Sequence, residues 1–382
     1  MVATRLPSAP PILPGLAYIR PLGSGGFADV FLYEQDMPRR NVAVKVMPSD
    51  VRDPELRRMF NAEADVLAHL SAHPSIVTVY QASVSADGRP YIVMEYCPDS
   101  LAQRYRVERI PVEEVLAIGV RMASALESAH RAGLIHRDVK PSNILITTFG
   151  TPVLADFGIS ASLQRKSGGE VLAMSIPWSS PEVIAEQTSG TVTSEVWSLG
   201  ATIYSLLAGH SPFERRERGQ NTKDLLRRRI GRATYVEIPR YDVPMALQTV
   251  LATAMSRDPA RRYDSARAFG EALRSVQAEL GLSPTPLEIP STEWTPASGP
   301  VDFADSGLRG PARSRVERDV TRKSRAGTGV AGLARDEDTE ISSPVRRRGN
   351  GGRALPWIVG IGVGLLAGAG AVVVTLVAVG AL

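Results

Sequence analysis

An ammonium placed in an apolar strand needs an anion to hold it, and Lys45 stands inside the run VAVKV. About twenty residues upstream, Gly23, Gly25 and Gly26 fall between two β-type runs, LAYIRPL and ADVFLYE. Glycines in such a hairpin let backbone N–H groups approach phosphate oxygens and tolerate positive φ, although a plain β-turn uses the same residues. No helix follows them, which excludes a dinucleotide-binding strand-turn-helix unit. Downstream, Asp53 and Pro54 read as the N-cap and first position of a helix whose apolar stripe runs through Met59, Phe60, Val66, Leu67 and Leu70. Glu63 falls in that stripe, and an inward carboxylate also needs a partner. A Lys45–Glu63 pair satisfies both and leaves the ammonium aimed at phosphates; the alternative is two unrelated residues at a surface edge.

The elements that position these residues change character along the chain. LAYIRPL, ADVFLYE, NVAVKVM, SIVTVYQAS and RPYIVMEY are short strand-type runs, with one helical interruption before the fourth. From Val112 onward, EEVLAIGVRMASALESAH, SEVWSLGATIYSLLAG, MALQTVLATAM and SARAFGEALRSVQAEL carry apolar residues at three- and four-residue spacing. The expectation is an α+β bilobal fold, a small β-rich lobe preceding a larger helical one, with a ligand crevice between them.

A second constellation lies in the helical half: HRDVKPSNIL from His136 to Leu145, then ADFG at 155–158. With these the sequence resembles the eukaryotic-type protein kinases, and most closely the bacterial serine/threonine kinases of the actinobacterial membrane-receptor type. The resemblance runs from about Leu16 to Leu280 through GSGGFADV, VAVK, HRDVKPSN, DFG, SPE, VWSLG and DPARRY, in that order.

The resemblance implies transfer of the γ-phosphoryl of ATP, with magnesium or manganese, to serine and threonine hydroxyls of protein substrates. It implies that Asp138 orients the attacking hydroxyl or takes its proton, and that Lys140 neutralises charge on the moving phosphoryl group. Asn143 and Asp156 would hold the metal, which wants oxygen ligands. Lys45, held by Glu63, would contact the α- and β-phosphates beneath a lid formed by Gly23, Ser24, Gly25, Gly26, Phe27, Ala28 and Asp29. Leu22, Val30, Ala43 and Leu145 would sandwich adenine, with backbone groups of Glu95 and Cys97, after Met94, along its edge. Lys140, two residues past the aspartate, resembles the serine/threonine class.

Regulation and departures follow from the same resemblance. Arg137 beside Asp138 would form a basic pocket neutralised by a phosphorylated activation loop, with Ser167 the expected autophosphorylation site among Ser160, Ser162, Ser167, Ser175, Ser179 and Ser180. Ser175 aligns with a threonine that bonds the catalytic aspartate and lysine. Ala28 replaces a third glycine, Met174 a glycine, and Glu195 an aspartate that receives hydrogen bonds from the catalytic-loop backbone. The extra methylene of Glu195 could misplace those bonds, which leaves a weak or inactive kinase-like scaffold as the alternative. Glu182 and Arg262 resemble a buried ion pair tying the activation segment to the helical lobe.

Composition frames the rest. Of 382 residues, 44 are basic and 40 acidic, leaving +4, so no global basic field points to nucleic acid. The single cysteine, Cys97, excludes an internal disulfide and a multi-thiolate metal site. Residues 1–15 read as a proline-rich leader with no core to join and no secretory signal, 16–280 as the catalytic domain, and 281–355 as a disordered charged linker. Residues 356–382 belong to a charge-free run from Leu355, roughly 39 Å as a helix from Trp357, long enough for one transmembrane span. Arg346, Arg347, Arg348 and Arg353 precede it, so the catalytic domain is expected in the cytoplasm, membrane-anchored, with Leu382 outside. Gly360, Gly364 and Gly368 share one helix face and suggest a homodimer through the membrane.

Overall fold

Alternation of side chains along a strand explains how Lys45 comes to face a cleft while its neighbours face a core. The computed structural model describes residues 6–25, 28–47, 60, 64–157, 176–215, 217 and 219–290. The expected Glu63, Gly26, Phe27, the activation-loop residues 158–175 with Ser160, Ser162, Ser167, Met174 and Ser175, the linker beyond 290 and the membrane run all lie outside them. Five antiparallel strands, β1 (Leu16–Ser24), β2 (Asp29–Gln35), β3 (Arg40–Val46), β4 (Val79–Val84) and β5 (Pro90–Glu95), form a sheet in the order β1-β2-β3-β5-β4. Strand β3 is central, so both its edges are hydrogen-bonded, to β2 and to β5. Val42, Val44 and Val46 join Phe31, Tyr33, Tyr91 and Val93 on one face, while Ala43 and Lys45 point to the other.

The helical lobe begins with β6 (Asp99–Ser100), α1 (Leu101–Val107) and the long α2 (Val112–Arg131). A three-stranded sheet joins β6 to β7 (Ile144–Ile146) and β8 (Pro152–Leu154), and α3 (Pro181–Ile184), α4 (Val192–Ala208), α5 (Lys223–Arg232), α6 (Met245–Ala254) and α7 (Ala266–Glu279) follow. Helix α4 is the buried axis of this lobe. Thr191 and Ser194 form a capping box at its start, and Gly209 closes it at φ +80°, a conformation that costs other residues energy. Trp197 of α4 is fully buried, stacked on Phe213 with ring centroids 5.6 Å apart. Ser75–Val77, expected to open the fourth strand, instead pairs with β8: Val77 N–H donates to Leu154 O at 3.0 Å and Leu154 N–H to Ser75 O at 2.9 Å. That pairing stitches the two lobes together.

Both ends of the domain extend further than composition indicates. In the leader, Leu13 is only 4% exposed and packs with Tyr33 and Tyr91 on the outer face of the sheet, while Tyr33 Oη donates to Pro11 O at 2.6 Å. The leader therefore does join a core. Beyond Leu280, Leu287 fills the space that the absent side chain of Gly270 leaves beside Ala123, and Thr285 N–H donates to Gln277 Oε1 at 2.9 Å. A proline-rich or polar segment can be held by a few side chains without any helical or strand periodicity.

Helices α2, α4 and α7 approach one another at Gly119, where an added Cβ would lie 2.8 Å from Ile203 Cδ1 and 2.9 Å from Leu273 Cδ1. Gly119→Val is expected to destabilise the domain by about 1–3 kcal/mol, because the core must shift to admit the branch. Thermal denaturation checks this, and an unchanged midpoint would contradict the packing described.

Candidate functional site

Lys45 Nζ donates to Asp156 Oδ1 at 2.8 Å, joining the central strand of the small lobe to the segment after β8. The lysine side chain is 10% exposed and that of the aspartate 43%, so the ammonium is enclosed while the carboxylate fronts the cleft. Asp156 occupies the left-handed region at φ +63°, a conformation that favours glycine and is held here by its surroundings. Desolvation opposes ionisation of Asp156, yet the ammonium of Lys45, aided by that of Lys140, holds its carboxyl below the ordinary range. Among the described residues, the ion-pair partner of Lys45 is thus Asp156; the expected partner Glu63 lies outside them.

The loop carrying Asp138 is fixed at several points. His136 is fully buried, bonds through Nε2 to Ala155 O at 2.9 Å, packs on the Phe157 ring and accepts from Asp138 N–H at Nδ1. Lys140 Nζ donates to Asp138 Oδ2 at 2.7 Å. Asn143 Nδ2 donates to Asp138 O at 2.7 Å and to Asp138 Oδ2 at 3.1 Å, while Ala155 N–H donates to Asn143 O. With its amide nitrogen committed, Asn143 has an amide oxygen that accepts a long bond from Ser142 Oγ at 3.4 Å and keeps a lone pair for a cation, and Asp156 has the carboxylate oxygen not bonded to Lys45. This hard oxygen pair fits magnesium or manganese, which complete their shells with water and phosphate oxygens.

The apolar part of the cleft is a single cluster. Ala43, Val77, Met94, Val153 and Ala155 are buried together, with Leu22, Val30, Cys97 and Leu145 packed around them. All four residues expected to sandwich adenine are present. Val77, Val153 and Ala155 were not expected. The signal for Val153 is its register: it faces Leu145 across the β7–β8 pair. Glu95 N–H donates to Thr78 O at 2.8 Å, so only its carbonyl is left for the edge of a base. Burial pushes the Cys97 thiol up to about 12, with the charge of Glu95 adding to the effect, so it is a neutral lining group. Gly25 N–H donates to Ala28 O at 3.0 Å, closing the turn between β1 and β2. Asp29 is wholly buried and bonded to Ser24 and Ser8, so it acts on the turn and presents no surface to a ligand.

Two further anchors come from α4 and its neighbours. Glu195 Oε1 accepts the backbone N–H of Arg137, and its Oε2 lies 2.7 Å from His130 Nε2. The longer side chain therefore reaches the catalytic-loop backbone, and the imidazole takes up its second oxygen; the expected misplacement does not occur. Arg137 itself sits at φ +68°, a second strained position that this bond supports. Arg262 donates to both carboxylate oxygens of Glu182 at 2.7 and 2.8 Å, to Ser256 O and to Thr193 O, and lies over the Trp197 ring. Burial opposes the charge of Glu182, but the guanidinium bonds win and hold its carboxyl below the ordinary range. Among the described residues no group of three or more His, Cys, Asp or Glu side chains is placed to hold a metal ion by itself.

The protein kinase domain family matches residues 16–272. The chain is 40% identical over 286 residues to the serine/threonine-protein kinase PknK of Mycobacterium tuberculosis H37Rv, an alignment covering 72% of this chain and 25% of that protein. It is 34% identical to the serine/threonine-protein kinase PknL of the same strain, covering 68% of this chain and 65% of the relative. It is 32% identical to the serine/threonine-protein kinase PrkC of Bacillus subtilis strain 168, covering 65% and 38%. The chain thus spans about a quarter of the length of PknK. Among solved structures, a point mutant of the Mycobacterium tuberculosis PknI kinase domain superposes with a TM-score of 0.53 at 29% identity, covering 72% of this chain and all of that one.

Since the Glu182 carboxyl is held low when folded, its contribution to stability is present above about pH 4.3 and is lost as pH falls. Arg262→Met is expected to cost about 3–5 kcal/mol at neutral pH, because it leaves a buried carboxylate without its cation. It should also flatten the acid dependence of stability. Urea denaturation from pH 3.5 to 7 tests this, and parallel curves for the two proteins would contradict it.

Proposed function

The chain belongs to the protein kinase domain family, and from that premise we propose that it transfers the γ-phosphoryl group of ATP to serine and threonine hydroxyls of proteins. The observation that carries the reading is the Asp138 carboxylate bracketed by Lys140 and Asn143, beside an Asp156 carboxylate paired with Lys45. In this reading Asp138 orients the acceptor hydroxyl and receives its proton, and the Lys140 ammonium offsets charge developing on the transferred group. Lys45 contacts the α- and β-phosphates. Asn143 and Asp156 hold a divalent cation, magnesium or manganese, which when bound neutralises phosphate charge. The cluster of Leu22, Val30, Ala43 and Leu145 receives adenine. The names of the relatives favour serine and threonine over tyrosine, as does Lys140 in DVKPSN.

Two finer readings belong with it. The run from Leu355 to Leu382 anchors the kinase in a membrane, with arginines 346, 347, 348 and 353 keeping the catalytic lobes on the cytoplasmic side. Gly360, Gly364 and Gly368 provide a close-packing face for a second copy, bringing two kinase domains together for phosphorylation in trans at Ser167. Among the described residues no helix is long and apolar enough to cross a membrane; the anchor rests on sequence alone.

Asp138→Asn in the full chain is expected to lower incorporation of labelled phosphate into protein by roughly 10²–10⁴-fold, the loss typical of a removed general base. Equal labelling in the two proteins would refute the catalytic reading. For the anchor, the full chain should stay with the membrane pellet through carbonate extraction, and a chain ending at Gly352 should not. Release of both would refute it.

A further inference from the structure

The leader ahead of the family match makes a connection that the kinase reading does not use. Asp29 is 0% exposed, and its carboxylate is shared between two serines. Oδ1 accepts from Ser24 Oγ at 2.6 Å, and Ser24 is the last residue before the glycine turn. Oδ2 accepts from Ser8 twice, from the hydroxyl at 2.6 Å and the backbone N–H at 2.9 Å. Ser8 in turn accepts from Arg89 Nη1 at 2.9 Å, while Arg89 Nη2 donates to Ala9 O at 2.9 Å and Asp87 braces the guanidinium. Two donor paths converge on the carboxylate: the Arg89 guanidinium donates to the Ser8 hydroxyl, which donates to Asp29, and from the turn the Ser24 hydroxyl donates to the other oxygen. Charge at both ends polarises the hydroxyl and strengthens each bond.

We propose that Ser8 is a positioning residue for the glycine turn, holding it through Asp29 so that a segment outside the family match contributes to nucleotide affinity. Asp29 pairs with Ser24 in the β1–β2 ladder and with Val46, next to Lys45, in the β2–β3 ladder. A buried carboxylate at that position sets the angle at which the turn leaves the sheet, and removing one of its donors frees the turn on one side. The Ser8 hydroxyl bonds Asp29 and Arg89 and has no bond to Asp138, so its loss is expected to change how the phosphates are held and to leave the chemistry at Asp138 intact. The leader is fastened independently by Leu13 and by Pro11, so Ser8 can be varied without detaching it.

The proposal rests on the kinase reading, and its test separates the two. Ser8→Ala, Ser8→Thr and a chain lacking residues 2–10 are compared with the wild type in two measurements: binding of methylanthraniloyl-ADP by fluorescence titration, and KM and kcat for ATP. Ser8→Ala is expected to raise both the nucleotide Kd and KM by about three- to tenfold, the size of one ordinary hydrogen bond, with kcat within twofold. The deletion should do the same, and Ser8→Thr, which restores a hydroxyl, should lie within twofold of wild type. Unchanged Kd in Ser8→Ala, or a fall in kcat at constant KM that tracks a lowered melting temperature, would overturn it. If no variant including the wild type labels protein, the titration still decides the role of Ser8, and that failure falls on the phosphoryl-transfer reading.

Discussion

One ion pair organises the cleft. Lys45 lies in a strand whose neighbours Val44 and Val46 are buried in the outer core, and among the described residues it is Asp156 that meets its ammonium, at 2.8 Å. Asp156 in turn stays in a left-handed conformation. Around it His136 grips Ala155 O, and Leu154 is clamped by Ser75 and Val77. The pair joins one residue from each lobe. Nucleotide phosphates and a cation placed at that junction would meet a fixed positive charge and an ionised carboxylate in a preorganised arrangement.

That arrangement is transmitted to the rest of the molecule through α4. Its N-terminal half supplies Glu195, which holds the strained Arg137 peptide, and Trp197, over which Arg262 lies while it ties down Glu182. Burial of the aromatic stack of Trp197 and Phe213 gives these polar contacts a rigid base, and a capped, glycine-terminated helix keeps their spacing constant. The substitution of glutamate for aspartate at 195 shows how a family position can change length without losing its bond: the surplus carboxylate oxygen is absorbed by His130.

Much of this was legible in the sequence, for identifiable reasons. Alternation in NVAVKVM places Lys45 on the face opposite its valines, and the order of the motifs from GSGGFADV to DPARRY marks the bilobal fold before any coordinate is known. Leu22, Val30, Ala43 and Leu145, which the resemblance assigns to adenine, lie in one apolar cluster. What escaped lacks periodicity. Ser75–Val77 reads as the start of a strand, but its partner, β8, is 3 residues long and belongs to the other lobe. The leader has no apolar run, yet Leu13, Pro11 and Ser8 hold it through isolated contacts that composition averages away. Val77 and Val153 are ordinary strand valines until the register shows which cleft they line.

In the proposed reaction Asp156 would be an ionised cation ligand held in place by Lys45. Titration of a fluorescent nucleotide into wild type and Asp156→Asn, with and without magnesium, measures this directly. Magnesium is expected to tighten binding to the wild type and to leave Asp156→Asn unaffected, while both bind comparably without the metal. An equal magnesium dependence in the two proteins would contradict it.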